Sequence, residues 1–167
     1  MKPAANAIDT ATALNFQDVG KSFLAGQRRI NALQNVSLHL RGGVSAWVGP
    51  DGAGKTTLLR LAAGLLLPDS GKVESFGLNT ADDGDSLHTL SGYMPQRFGL
   101  YEDLSVLENL NLYADLHGMD RLERQQRFDE LVRMTGLAKF TERLAGRLSG
   151  GMKQKLGLAC TLVIRRR

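Results

Sequence analysis

The run Gly49-Pro50-Asp51-Gly52-Ala53-Gly54-Lys55-Thr56-Thr57 brings glycines, a lysine and hydroxyls together at a spacing suited to binding a polyphosphate. Gly49, Gly54, Lys55 and Thr56 fit the pattern G-x-x-x-x-G-K-[ST]. Glycines let successive backbone N–H groups curl round an anion without Cβ clashes. A helix starting near Gly54 aims its unbonded N–H groups and the positive end of its dipole at that anion. Lys55 adds a mobile point charge for the outer phosphates, and the Thr56 hydroxyl is placed to ligate Mg2+. A dinucleotide loop of the G-x-G-x-x-G kind lacks the Lys-Thr pair. A glycine turn that merely caps a helix is the plainer alternative, and the flanks oppose it. Val44 to Val48 precede the loop like a short buried strand, and a mostly apolar helical pattern follows it.

The elements around this loop can be read from periodicity. Leu14, Phe16 and Val19 carry strand-like alternation, and a turn falls around Gly26 to Arg29. Val36, Leu38 and Leu40 alternate with Ser37, His39 and Arg41, as a half-buried strand would. The pair predicts an antiparallel piece beside the nucleotide core. The helix after the loop is expected from Gly54 to about Ala63, with Leu58, Leu61 and Ala62 on one face. Pro68-Asp69-Ser70-Gly71 is a turn signal, and Lys72 to Phe76 alternates again. Asn79 to Ser86, with Asp82, Asp83 and Asp85, reads as a solvated loop, because its spacing lacks the glycine and glutamate of a calcium loop. Leu90 to Met94 reads as a further core strand. Ser105 and Glu108 form a capping box for a helix whose inner face holds Leu107, Leu110 and Ala114. Arg121 to Thr135 is the next helix, with Glu123–Arg127 and Asp129–Arg133 as i,i+4 pairs on its wet side and Phe128, Leu131 and Val132 inward. Ser149 is placed to cap a last helix carrying Met152, Leu156, Ala159 and Val163 on one face.

Bulk composition narrows the field. A chain of 167 residues suits one domain with its own core. Its longest apolar run, Leu61 to Leu67, is far too short to span a bilayer, and the first residues lack a signal-peptide core, so a cytoplasmic location is expected. The net charge is +4, and three of those charges are Arg165, Arg166 and Arg167. The remainder is nearly balanced, which argues against nucleic acid as a partner. The single cysteine, Cys160, falls in an apolar helical pattern and reads as a buried small residue. His39, His88 and His117 are scattered, so no structural metal site is expected.

Three stretches in order resemble the ATP-binding domain of ATP-binding-cassette (ABC) transporters. They are the phosphate loop, Gln96 within Tyr93-Met94-Pro95-Gln96-Arg97-Phe98, and Leu148-Ser149-Gly150-Gly151-Met152-Lys153-Gln154, which is similar to the family signature L-S-G-G-x-x-Q. The resemblance extends from about Leu14 to Val163. The wording of these stretches further resembles the first ATPase domain of bacterial multidrug exporters that fuse two such domains. It implies an α/β fold with a P-loop core, an antiparallel β subdomain and a helical subdomain at about 97–150, following a flexible 1–13. It implies ATP and Mg2+ as cofactors, bound by Gly49, Pro50, Asp51, Gly52, Ala53, Gly54, Lys55, Thr56 and Thr57. Lys55 and Gln96 would serve catalysis, Thr56 and Gln96 would hold Mg2+, and Phe23 would stack on adenine. Leu148, Ser149, Gly150, Gly151 and Met152 would act on ATP bound to a partner domain.

Two departures from the family pattern stand out. Trp47 occupies a position before the loop that is usually aliphatic. The family also continues with an aliphatic strand ending in Asp-Glu and then a switch histidine, and nothing after Thr161 supplies them. The chain therefore reads as a partial domain, 14–167, incomplete at its C-terminus and weak or inactive in hydrolysis by itself. The implied function is an ATPase subunit or domain powering an exporter. Its partners would be a second ATP-binding domain and transmembrane permease subunits, and it would sit peripherally on the inner face of the bacterial membrane. The alternative is a remnant that binds nucleotide or a membrane partner without turnover. A kinase or GTPase is disfavoured by the Leu148–Gln154 stretch and the lack of N-K-x-D.

Overall fold

The computed structural model describes residues 13–96 and 99–163. The chain divides into two compact units, residues 1–91 and 92–167.

The first unit is built on a long hairpin. Strands β1 (Leu14–Ala25) and β2 (Arg28–Leu40) run antiparallel through a turn at Gly26, whose φ of 62° suits a residue without a side chain. Strands β3 (Ser70–Ser75) and β4 (Leu78–Asn79) complete a sheet of order β2-β1-β3-β4. Phe16 lies opposite both Leu38 and Val73, and one face of the sheet buries Phe16, Val19, Leu33 and Val73 against Leu61. Leu61 belongs to helix α1 (Lys55–Ala62), whose Leu58 and Ala62 pack on the same cluster. The Ser75 hydroxyl donates to the Ala62 carbonyl at 2.6 Å, tying β3 to the end of α1. β3 enters the sheet under a tight crossing. A Cβ built on Gly71, at φ 78°, would lie 2.3 Å from the Gln17 carbonyl oxygen, so only glycine passes there.

Three expectations for this unit are corrected. Residues 44–48 form no strand. The run has no regular secondary structure and no ladder partner among the described residues, and Val44 and Val48 are fully exposed. A buried parallel strand needs a neighbour to bond its backbone, and without one the apolar run stays bare. Leu90 to Met94 is not a strand either: Leu90 ends a helix, and residues 91–94 have no ladder partner among the described residues. The acidic stretch after Asn79 is not simply a loop. Helix α2 (Gly84–Leu90) begins inside it and buries Leu87. Its acids are locally knit, with Asn79 donating from its side chain to Asp82 and from its backbone to Asp83.

The second unit is helical. Helix α3 (Val106–Leu116) starts at the expected capping box, where the Ser105 hydroxyl accepts from Glu108 N and the Glu108 carboxylate accepts from Ser105 N. Helix α4 (Arg121–Thr135) begins at the Asp120 cap and ends at Gly136 in the left-handed conformation. Two single turns of 3-10 helix, Ala138–Phe140 and Ala145–Arg147, lead to helix α5 (Gly150–Thr161). Leu110, Phe128, Leu131, Leu156, Ala159 and Cys160 interlock in a separate core. The i,i+4 ion pairs expected on α4 are replaced. Arg127 bonds Glu130 at i,i+3 and the carbonyls of Leu162 and Val163, while Arg133 Nε bonds the Asp129 carbonyl. A guanidinium with several donors gains more from free carbonyls at a helix end than from one exposed carboxylate.

Candidate functional site

The phosphate-type loop is shaped by two glycines in left-handed conformation, Gly52 (φ 81°) and Gly54 (φ 85°). Gly54 caps α1 without any side-chain hydrogen bond, and the first bond of the helix runs from Leu58 N to Gly54 O at 2.9 Å. The N–H groups of the first turn therefore face out without intrahelical acceptors, and no acid stands in that turn to compete for them. Gly54 is fixed against the sheet, since a Cβ there would lie 2.8 Å from the Ala32 carbonyl oxygen and from Leu33 Cδ2. Lys55 folds back over the loop and donates to the carbonyls of Gly49 (2.7 Å) and Pro50 (2.6 Å). Thr56 is exposed at the rim and Thr57 half-buried beneath it. The loop thus offers an outward row of N–H donors, a tethered ammonium and a free hydroxyl, a donor set that fits a phosphate chain with Mg2+ held partly by a hydroxyl.

Phe23 lies on the same unit, in the hairpin tip. It is 40% exposed rather than part of the core, with the Lys21 ammonium 5.8 Å from its ring centroid. A cavity of about 900 Å³ opens beside it, lined by Phe23, Arg29, Leu33, Leu66 and Asp69 among others. Asp69 was legible only as part of a turn. Its partners, Lys21 and Ser22, lie 48 and 47 residues earlier, a separation that no local pattern reveals. The Lys21 ammonium and then Ser22 hold its carboxyl well below the usual carboxylate range.

On the second unit, Ser149 caps α5 by accepting from Met152 N at 3.4 Å. Leu148 is buried and Met152 packs on the helical core, so the two ends of the stretch are anchored. A Cβ on Gly150 or Gly151 would meet nothing within 4 Å. These glycines leave open space in front of a helix N-terminus. Lys153 pairs with Glu102 at 2.5 Å, and Gly146 N donates to the Glu102 carbonyl at 2.9 Å. Asn109, which sequence patterning passes over as a polar helix residue, is wholly buried. It accepts from Tyr101 N and donates to the carbonyls of Tyr101, Leu104 and Ser105. Gln96 is exposed, and its neighbours 97 and 98 lie outside the described residues. Among the described residues no helix is long and apolar enough to cross a membrane, and no group of His, Cys, Asp or Glu could hold a metal ion.

With a glycine-rich loop opening a helix on a β-rich unit and a glycine-fronted helix on a helical one, the chain has the parts of an ATP-binding cassette. The family model described as "ABC transporter" matches residues 33–167, and the chain belongs to that family. It is 62% identical over 122 residues to the probable multidrug ABC transporter ATP-binding protein YbhF of Escherichia coli (strain K12), covering 73% of this chain and 21% of that protein. It is 38% identical over 165 residues to the methionine import ATP-binding protein MetN 2 of Burkholderia mallei, covering 96% of this chain and 42% of that one. Among solved structures it is similar to the dimeric post-hydrolysis state of the ATP-binding cassette MJ0796 bound to ADP and Pi. The TM-score is 0.75 at 31% identity, over 90% of this chain and 69% of that one. The α/β cassette fold is thereby established. The chain spans between about a fifth and a half of the curated relatives' length.

Proposed function

We propose that this chain is the ATP-binding part of an ATPase that drives a membrane exporter of the multidrug type. The observation that carries the reading is the loop at Gly49–Thr57, with its outward N–H groups and Lys55 folded across it. The 62% identity to a probable multidrug protein favours export, although an import protein is also among the relatives. In this reading the N–H groups of the α1 first turn receive the phosphates. Lys55 exchanges its two loop carbonyls for phosphate oxygens, and the Thr56 hydroxyl would hold Mg2+. The metal supplies charge that stabilises the transferring phosphoryl group. Ser149, Gly150 and Gly151, braced by Leu148 and Met152, present α5 to the ATP of a second ATP-binding domain. Permease subunits would place the assembly at the inner face of the bacterial membrane.

The experiment is titration calorimetry of purified protein with Mg-ATP. Lys55→Ala is expected to weaken binding at least tenfold, on the scale of a lost charge-assisted hydrogen bond (about 1.5–3 kcal/mol). Equal affinity in the two proteins would remove the loop from the mechanism. Gly151→Asp has room for its side chain, so it is expected to leave ATP affinity unchanged. It would abolish ATP-dependent association with a partner domain, because a carboxylate would face phosphate. Undiminished association would place the α5 N-terminus elsewhere.

A further inference from the structure

We propose that Asp69 is a positioning residue for the nucleobase end of the site: by clamping the root of the β1–β2 hairpin it holds Phe23, and Lys21 beside it, against the cavity at the hairpin tip. This rests on the reading of Phe23 as the ring that stacks on the base.

The hairpin tip needs such a clamp. β1 is paired on both sides only as far as Gly20, which lies opposite Ser70. From Lys21 onward β1 has β2 alone beside it, and the register slips between Lys21 and Ser22. A two-stranded ribbon is marginal by itself and twists freely. Asp69 stands immediately before β3, where the second ladder stops. Its N–H donates to the Gly20 carbonyl at 2.8 Å. Its carboxylate then accepts from Ser22 N at 2.8 Å, Ser22 Oγ at 2.7 Å and Lys21 Nζ at 2.6 Å. One side chain thus does for Ser22 N–H what a further residue of β3 would have done. The Lys21 side chain, 14% exposed, is held along the sheet with its ammonium 5.8 Å from the Phe23 centroid. Lys21–Asp69 is a solvent-facing pair whose Coulomb energy is small. Its significance is geometric, in three bonds converging on one carboxylate from the two residues that immediately precede Phe23.

The cavity is of the size that accepts a base with its sugar. Leu33, in its wall, is also the residue against which Gly54 presses, so β2 joins this cavity to the phosphate loop within one unit. Tilting the hairpin beyond the Lys21–Leu33 pair would move Phe23 while leaving Leu33, and with it Gly49–Thr57, in place. A base-specific loss of affinity therefore distinguishes Asp69 from a residue that merely supports the fold.

The test compares two probes on the 167-residue chain, Mg-ATP and magnesium tripolyphosphate, the second having phosphates but no base. Asp69→Ala and Phe23→Ala are each expected to weaken ATP binding about tenfold, within the range of one base–aromatic stack, and to leave tripolyphosphate binding within twofold. The double variant is expected to be no weaker than Phe23→Ala alone, because the two act through one contact. Asp69→Asn, which keeps an acceptor for Ser22, is expected to lie between wild type and Asp69→Ala, and it serves if the alanine variant fails to fold. Wild-type ATP affinity in both Asp69 variants would overturn the proposal, and so would an equal loss for both probes. If Phe23→Ala binds ATP normally, the stacking reading fails and the proposal fails with it. If Phe23→Ala weakens ATP but the Asp69 variants do not, the stacking reading stands and the positioning role alone is refuted.

Discussion

Cys160 and Lys55 show how differently one side chain can be committed. The Cys160 thiol is buried among apolar neighbours, and burial pushes it up to about 12. Its folded value is raised, so the stability it contributes is intact below the ordinary thiol value and is lost as pH rises toward 12. Urea midpoints measured from pH 8 to pH 11 are expected to fall over that window in wild type and to fall less in Cys160→Ser. The same burial is expected to keep the native thiol from reacting with aromatic disulfides at pH 8, whereas denatured protein is expected to react fully. Rapid labelling of native protein would show that the core around α5 opens freely. Lys55, by contrast, is bonded only to two carbonyls of its own loop, which is why its removal is expected to affect ligand binding rather than folding.

Elements were legible where local chemistry decides them. The Ser105–Glu108 capping box, the Arg121–Thr135 helix and its Gly136 stop, and the alternation in β2 all rest on neighbours within a few residues, and each is present. The glycine turn that opens α1 and the Ser149 cap were legible for the same reason. What escaped depends on distance in the chain. Strand formation at 44–48 and 90–94 needs partners that periodicity cannot supply, α2 buries only Leu87, and Asp69 meets residues nearly fifty positions away. Asn109 escaped because a buried asparagine and a solvated one look identical in sequence. Its four bonds pin residues 101–105 to α3, so Asn109→Ala is expected to cost about 2–3 kcal/mol by leaving buried backbone groups unpaired. Ser105→Ala, which removes one cap bond, is expected to cost about 1 kcal/mol. Urea unfolding of both variants checks the order, and a reversed order would mean that the 101–105 segment is held by something else.

The described residues form two separate cores, one in each unit, and each unit carries its own reporter. Trp47 lies in the first unit and Cys160 in the second. Leu61→Ala and Leu156→Ala each remove a fully buried side chain and are expected to cost about 2–5 kcal/mol locally. Leu61→Ala is expected to lower the transition seen by tryptophan fluorescence more than that seen by thiol exposure, and Leu156→Ala the reverse. Equal shifts in both signals would show a single cooperative unit.

The bare run Val44 to Val48 has a consequence for the behaviour of the protein in a tube. Its backbone has no ladder partner among the described residues, and both valines project fully into solvent. Unpaired backbone beside bare apolar side chains can pair with another chain. Loss on storage is therefore expected to be a collision process, with initial light-scattering growth rising more steeply than in proportion to concentration. Val48→Lys places a charge on that run and is expected to slow the growth without altering the circular dichroism. First-order loss, indifferent to dilution and to the lysine, would trace spoilage to unfolding instead.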